Sequence, residues 1–511
     1  MYTLADLPRK GAALHGDRTA VVFEDTRLTY AELNRRVNRA AHALSGLGLK
    51  RRERVTILSD NSARYLETYL AAAKLALSVT PLNTRLSDSE LEHIVGDSEA
   101  VAILAGDGYE QRAVSLLANM EGLRFGVSLD NDLAGFTGYE AGLAQAPDHE
   151  PELPDGPRHD ELAVLMYTGG TTGLPKGVML SHRNVMTATI ANVITCEFTR
   201  ADCTCHVLPM FHVAWWPILS LLLVGGTVVI NRRPDINQIL DLIERERCTH
   251  MNLVPSIYGW LLDVAAAESH DLSSLRTLNY SGSPFAVETL KRAINVFGPI
   301  FAQGYGATET AGGAITYFAA EDHHLDGADS RLLASAGKAA ICSEVKVVDE
   351  RDQAVDPGAV GEVCVRGEHV MTGYWKNPEL TERALRGGWY HTGDLGYLDE
   401  SGFLFLSDRK SDMIITGGEN VYPTEVENSI YTHPDVLECS VVGVPDDRWG
   451  EVVQAVVVPR DCSQIDAQAI IDHCHKRLAG YKCPKRVAFV ESLPKTAVGK
   501  ISRKEVKELV R

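Results

Sequence analysis

Between the apolar run Leu162–Tyr167 and the apolar triplet Val178-Met179-Leu180 lies Thr168-Gly169-Gly170-Thr171-Thr172-Gly173-Leu174-Pro175-Lys176-Gly177. Glycines let a backbone aim several N–H groups at one point, threonine hydroxyls add donors, and a lysine brings a mobile charge, so the segment is built to cradle a polyphosphate. It is not a Walker A loop, because Pro175 precedes Lys176 and no Gly-Lys-Ser/Thr opens a helix. Apolar runs on both sides predict a loop joining two strands. The phosphate candidates are Thr168, Gly169, Gly170, Thr171, Thr172, Gly173 and Lys176. A plain surface hairpin is the alternative for any such cluster read alone.

Around this loop, helical and strand patterns alternate through the first four hundred residues, which predicts layered α/β architecture. Thr29-Tyr30-Ala31-Glu32 has capping-box spacing, followed by Leu33, Val37, Ala40, Ala41 and Leu44 at helical intervals. Val55–Leu58 reads as a strand, Tyr65–Leu75 as a helix and Ser78–Pro81 as a strand end. The run Val207–Ile230 is long enough to span a bilayer, but Pro209, Pro217 and Gly225-Gly226 interrupt it, so it reads as a buried loop, helix and strand. Residues 146–157 read as an exposed connector. The charged cluster Asp408-Arg409-Lys410-Ser411-Asp412, with about a hundred residues beyond it, reads as a second domain boundary or as an ordinary polar hairpin.

A chain of 511 residues exceeds one ordinary core, and its net charge of −18 opposes nonspecific binding to nucleic acid or anionic membrane. Residues 476–511 nevertheless carry 11 Lys/Arg against 3 Asp/Glu. That tail is a local site for a polyanion or a solvated helix face; charge alone leaves both open. Ten cysteines in this length make no disulfide framework, and Met1–Gly16 lacks an apolar signal core, so a cytoplasmic protein is expected. Peripheral membrane contact and a homodimer both stay open.

Three further segments carry candidate chemistry. Gly304-Tyr305-Gly306-Ala307-Thr308-Glu309-Thr310 sets a ring, a hydroxyl and a carboxylate on a glycine turn. Tyr305 suits adenine, Thr308 a phosphate, and Glu309 a Mg²⁺ ion; a simple helix start is the alternative. Tyr390-His391-Thr392-Gly393-Asp394 followed by Asp408-Arg409 offers Asp394 and Arg409 to a ribose. Pro494-Lys495-Thr496-Ala497-Val498-Gly499-Lys500-Ile501-Ser502-Arg503 offers Lys500.

Taken in order with Pro209-Met210-Phe211-His212, Ser281-Gly282-Ser283-Pro284 and Gly417-Gly418-Glu419-Asn420-Val421-Tyr422-Pro423, these segments resemble the adenylate-forming superfamily of acyl-CoA synthetases, luciferases and peptide-synthetase adenylation domains. The resemblance spans residues 167–503, and its text looks most like bacterial fatty-acyl-CoA synthetases. It implies that Lys500, Thr308, Glu309 and His212 are catalytic. It implies that Ser283, Gly306, Ala307, Asp394 and Arg409 join the phosphate loop in holding ATP, that Phe211, His212, Trp216, Gly304 and Gly312 line an acyl pocket, and that Gly417, Gly418 and Glu419 border coenzyme A. It also implies a large unit (1–408) and a small, mobile α+β unit (413–511) that turns about a hinge at 409–412. Gly169 departs from the family, where serine is common, and so does Ser411, where the hinge often carries a charge.

The implied reaction is ATP-dependent activation of a carboxylic acid to acyl-AMP, then transfer to coenzyme A, with release of AMP and pyrophosphate. The acid expected from this reading is a medium- or long-chain fatty acid, since Phe211–Trp216 and Ile218–Val224 are apolar and Gly312-Gly313-Ala314 leaves room. Aryl acids of the benzoate or cinnamate kind are the runner-up, because Trp215 and Trp216 suit a ring equally. A carrier protein in place of coenzyme A is the other alternative.

Overall fold

In the computed structural model of this chain, described for residues 3–510 except 171–172, 268–269, 284, 410–411, 417–418, 447, 461–464 and 497–498, two large sheets share helices between them. Thr29 and Glu32 cap one another at the start of helix Tyr30–Gly46, which buries Leu33, Val37, Ala40, Ala41 and Leu44. The next helix, Ala63–Lys74, begins two residues before the apolar pattern suggests, because Ser62 caps it through Tyr65 N.

One sheet runs Gly373–Tyr374, Gly173–Ser181, Leu162–Gly170, Ser78–Pro81, Arg54–Leu58, Ala100–Ala105, Phe125–Ser128 and Thr137–Gly138. The other has Thr277–Ser281, His250–Leu253, Cys203–His206 and Thr227–Ile230 as successive members of its parallel interior. Its strands are buried on both faces: Val21 and Val228 face the helices shared with the first sheet, while Val22 and Val229 face a second core. Two-sided burial explains why such strands read as continuous apolar runs.

The apolar run 207–230 folds as expected from its breakers. Pro217 lies in the first turn of helix Trp216–Val224, where its missing N–H is harmless, and Gly225 ends the helix at φ 85°. No helix among the described residues is long and apolar enough to cross a membrane.

A four-stranded antiparallel sheet (Glu344–Val348, Gly361–Arg366, Tyr390–Leu398, Leu404–Arg409) follows. Beyond it the core changes hands. Phe403 and Phe405 pack on Phe318 and Leu332, whereas Ile414 packs on Val421, Val426, Val441 and Val453 in a separate cluster under its own sheet. The hinge candidate Ser411 lies outside the described residues.

Candidate active site

The glycine-rich segment is a hairpin of the two strands Leu162–Gly170 and Gly173–Ser181, whose ends Gly170 and Gly173 pair. Thr171 and Thr172 lie outside the described residues. Thr168 Oγ1 is buried and has no hydrogen-bond partner, as a phosphate donor would be before its ligand arrives. Lys176 is held from afar: its Nζ donates to Tyr374 Oη at 2.8 Å and lies 3.4 Å from Glu309 Oε1, while Tyr374 Oη donates to that same oxygen at 2.7 Å. Tyr374 sits 198 residues beyond Lys176, and no local pattern marks it.

Glu309 reaches this point on a short 3₁₀ turn, Thr308–Thr310, all three residues buried. Thr310 Oγ1 closes the turn by accepting from Ala307 N at 3.1 Å and donating to Gly313 O at 3.0 Å. Gly306 is required by close packing, since a Cβ there would lie 2.8 Å from Gly313 O. Only Oε1 of Glu309 is engaged by side chains, so Oε2 is free among the described residues. One free carboxylate oxygen beside phosphate donors fits Mg²⁺, which takes one or two carboxylates and fills its shell with water and phosphate oxygens.

At the other end of the turn, Tyr305 Oη donates to Asp394 Oδ2 at 2.6 Å, and Arg409 Nε stands 3.3 Å from Asp394 Oδ1. Asp394 and Arg409 are paired on adjacent antiparallel strands. Burial raises the Asp394 carboxyl above the ordinary range, and Arg409 opposes that shift. Asp408 faces the opposite way and ties the strand to the small unit, accepting from Thr424 N at 2.8 Å and from the Arg503 guanidinium, which also binds Glu427 at 2.7 Å.

Lys500 lies against the large unit. Ser256 Oγ donates to Gly499 O at 2.8 Å, Lys495 Nζ sits 4.8 Å from the Trp260 ring centre, and a Cβ on Gly282 would fall 2.6 Å from Lys500 Cε. Enclosure lowers the Lys500 pKa to about 8, with Arg409 adding to the shift and Asp394 opposing it. His212, in the same cleft, is lowered to about 3 by enclosure and by Lys500, so it is neutral at physiological pH. Asn61 fixes the segment before it, accepting from Met210 N at 2.7 Å and donating to Leu208 O at 3.0 Å.

These groups line one cleft of about 2220 Å³ that also takes in Phe211, Trp216, Ser283, Gly304, Gly306, Ala307, Thr308 and Gly312. The expected acyl residues divide by role. A Cβ at Gly304 would meet nothing within 4 Å, so this glycine leaves the pocket open. Gly312 does not leave room: it has φ +73°, and a Cβ would lie 2.8 Å from Val213 O and 3.3 Å from Trp216 Cβ. The tryptophans also part company. Trp215 is buried and stacks on Tyr69 at 4.7 Å, while Trp216 faces the cleft. Of the coenzyme A candidates, Gly417 and Gly418 lie outside the described residues, and Glu419 is exposed, away from the cleft lining.

One cleft thus gathers hydroxyl and lysine donors, a free carboxylate oxygen, the Tyr305–Asp394–Arg409 cluster and a lysine from the small unit. Two family descriptions match the chain: AMP-binding enzyme over residues 9–375 and AMP-binding enzyme C-terminal domain over 425–500. The chain belongs to this family. It is an AMP-forming acid–thiol ligase of the acyl-CoA synthetase class.

Among curated relatives, a feruloyl-CoA synthase of Amycolatopsis sp. is 39% identical over 508 residues, covering 99% of this chain and 98% of that protein. An indoleacetate–CoA ligase of Aromatoleum aromaticum is 37% identical (98% and 96% covered), and the long-chain-fatty-acid–CoA ligase FadD13 of Mycobacterium tuberculosis is 34% identical (95% and 93%). Among solved structures, ATP-bound MatB from Rhodopseudomonas palustris superposes with a TM-score of 0.89 at 30% identity, covering 99% of this chain and 98% of that one.

Proposed function

We propose that this ligase activates an aromatic carboxylic acid, with an arylpropenoate or arylacetate favoured, to its coenzyme A thioester through an aryl-AMP. The observation that carries the acid assignment is the make-up of the acyl end of the cleft. Trp216 and Tyr317 supply rings, Tyr317 directly opposite the open Gly304, and Asn252 and Asn279 supply amides. A fatty tail gains nothing from buried amides, and relatives 39% and 37% identical to the chain are named for aromatic acids. The fatty acid favoured by the motif text alone therefore gives way to the aryl acid.

The residues take the following parts. The substrate carboxylate attacks the α-phosphorus of ATP, one P–O bond forms, and the bond to pyrophosphate breaks. The Lys500 ammonium, reaching over Gly282, neutralises charge building on the attacking carboxylate and the phosphorus oxygens. A preorganised charge of this kind typically contributes about 10²–10³ in rate. Asp394 and Arg409 hold the ribose, Thr168 and the hairpin glycines hold phosphates, and Lys176 leaves its Tyr374–Glu309 rest position for the triphosphate. Mg²⁺, when held by Glu309, would offset triphosphate charge. Neutral His212 borders the reacting carboxylate without adding charge. In the second half-reaction the coenzyme A sulfur attacks the acyl carbonyl carbon, its proton is lost, and AMP departs.

Lys500 docked in the cleft and Glu419 remote from it correspond to the adenylating arrangement. Rotation of the small unit about 409–412, with Ser411 as pivot, would exchange them and bring 417–419 to the cleft for thioester formation.

A pyrophosphate-release screen over cinnamates, arylacetates, benzoates and C8–C16 fatty acids, with and without coenzyme A, tests the whole reading. Aryl-AMP and AMP are the expected products. Stoichiometric ADP would overturn the reaction, a fatty acid used tenfold better than every aryl acid would overturn the acid, and transfer to phosphopantetheinyl carrier but not to coenzyme A would overturn the acceptor.

A further inference from the structure

Four strands deliver side chains to one patch of the acyl pocket. Asn252 and Asn279 are in-register partners on parallel neighbours; Asn279 pairs with Ala302 and Ser281 with Gly304; Gly304 in turn faces Tyr317 across an antiparallel pair. Directly paired residues, and residues two apart on a strand, project from the same face of a sheet, so these six share a face. Ala302 and Gly304 have almost no side chain. The Tyr317 hydroxyl crosses their strand and donates to Asn279 Oδ1 at 3.4 Å on the strand beyond. Ser281 Oγ donates to Asn252 Oδ1 at 3.2 Å, and the Cys196 thiol, at the end of helix His182–Thr195, abuts the Tyr317 hydroxyl.

The patch is not satisfied from within. Asn252 is 6% exposed, and its Nδ2 has no hydrogen-bond partner. Asn279 is 3% exposed, and its side chain makes no hydrogen bond among the described residues beyond the long one from Tyr317. Buried amide groups are nearly always paired, and an orphan in a cleft wall points to a ligand atom. An alkyl tail or an unsubstituted ring would leave these donors empty; an oxygen on the ring would fill them.

We propose that Asn252, Asn279 and Tyr317 form a specificity floor that recognises an oxygen substituent, hydroxyl or methoxyl, on the far side of the substrate ring from its carboxylate. The amides stand on adjacent strands about 4.8 Å apart, close enough to address one such oxygen or two on neighbouring ring carbons. This inference rests on the aryl-acid reading and narrows it to oxygenated aryl acids.

Pyrophosphate release is measured with cinnamate, 4-hydroxycinnamate, 4-hydroxy-3-methoxycinnamate and 4-methylcinnamate, whose methyl group matches the hydroxyl in size but cannot accept a hydrogen bond. The wild-type enzyme is expected to prefer 4-hydroxy- over 4-methylcinnamate by at least about tenfold in kcat/KM, since a site with polar groups left unpaired rejects the isostere. Asn279→Leu and Asn252→Leu are expected to invert that preference. A wild-type ratio below threefold overturns the floor without any variant being needed, as does a folded Asn279→Leu enzyme whose ratio is unchanged. Either result with cinnamate still activated leaves the aryl-acid reading standing; failure of every aryl acid beside a good fatty substrate overturns both.

Discussion

Gly282→Ala puts a methyl group where the stem of Lys500 now lies. The new carbon would sit 2.6 Å from Cε and 3.0 Å from Nζ, and carbon atoms rest at about 3.5–4.0 Å. The lysine must therefore retreat by roughly 1 Å, and a displacement of that size in a catalytic group can cost about 10² in rate. Position 282 also has φ +86°, where alanine is strained by about 1–2 kcal/mol. That strain belongs to the large unit, so it lowers stability without singling out either half-reaction. The expected result is a single-turnover rate of aryl-AMP formation down about a hundredfold, with thioester formation from supplied aryl-AMP and coenzyme A held within about threefold. Because the methyl acts through the lysine, the double variant Gly282→Ala/Lys500→Ala should adenylate no more slowly than Lys500→Ala alone. Wild-type adenylation by Gly282→Ala, or fully additive losses in the double variant, would refute the placement of Lys500 over this glycine.

Lys500 works as an ammonium and is lowered to about 8, so its active form is complete below that pH and is lost as pH rises through it; adenylation at subsaturating MgATP should fall on the alkaline side of about 8, and a flat profile to pH 10 would contradict this. With saturating MgATP the limb should move upward, because triphosphate favours the charged lysine. Gly304→Val should fold normally but exclude longer aryl acids, whereas Gly312→Ala should destabilise, since only the latter Cβ meets backbone; melting temperatures and the acid panel separate the two. Tyr374→Phe removes the hydroxyl shared by Lys176 and Glu309 and should raise KM for MgATP several-fold with little change in KM for the acid. Equal changes in both constants would mean a general structural defect.

Much of the candidate nucleotide site was legible because its parts are contiguous. A run of glycines and hydroxyls must turn and must present donors wherever it is placed, so the hairpin 162–181, the Tyr305–Thr310 turn and the Asp394 segment declared their chemistry in single stretches. The capping pair Thr29/Glu32 and the breakers Pro217 and Gly225 fixed helix ends for the same reason. Other assignments depended on what lay across the fold. Two adjacent tryptophans look alike in sequence, yet Trp215 turns onto Tyr69 and Trp216 onto the cleft, because a single residue of rotation at a helix start changes the face presented. Gly304 and Gly312 share a composition signal and have opposite duties, one leaving space and one allowing backbone to touch. Tyr374 carried no signal at all, since its partners Lys176 and Glu309 are 198 and 65 residues away. The protonation of Lys500 and His212 was equally out of reach: it follows from desolvation and from the charges packed around each group, which exist only when the two units close on one cleft. The sequence by itself determined the reaction class through local chemistry; the tertiary structure decided which side chains meet at the proposed acid floor, because residues from four strands reach one face only once the sheet has formed.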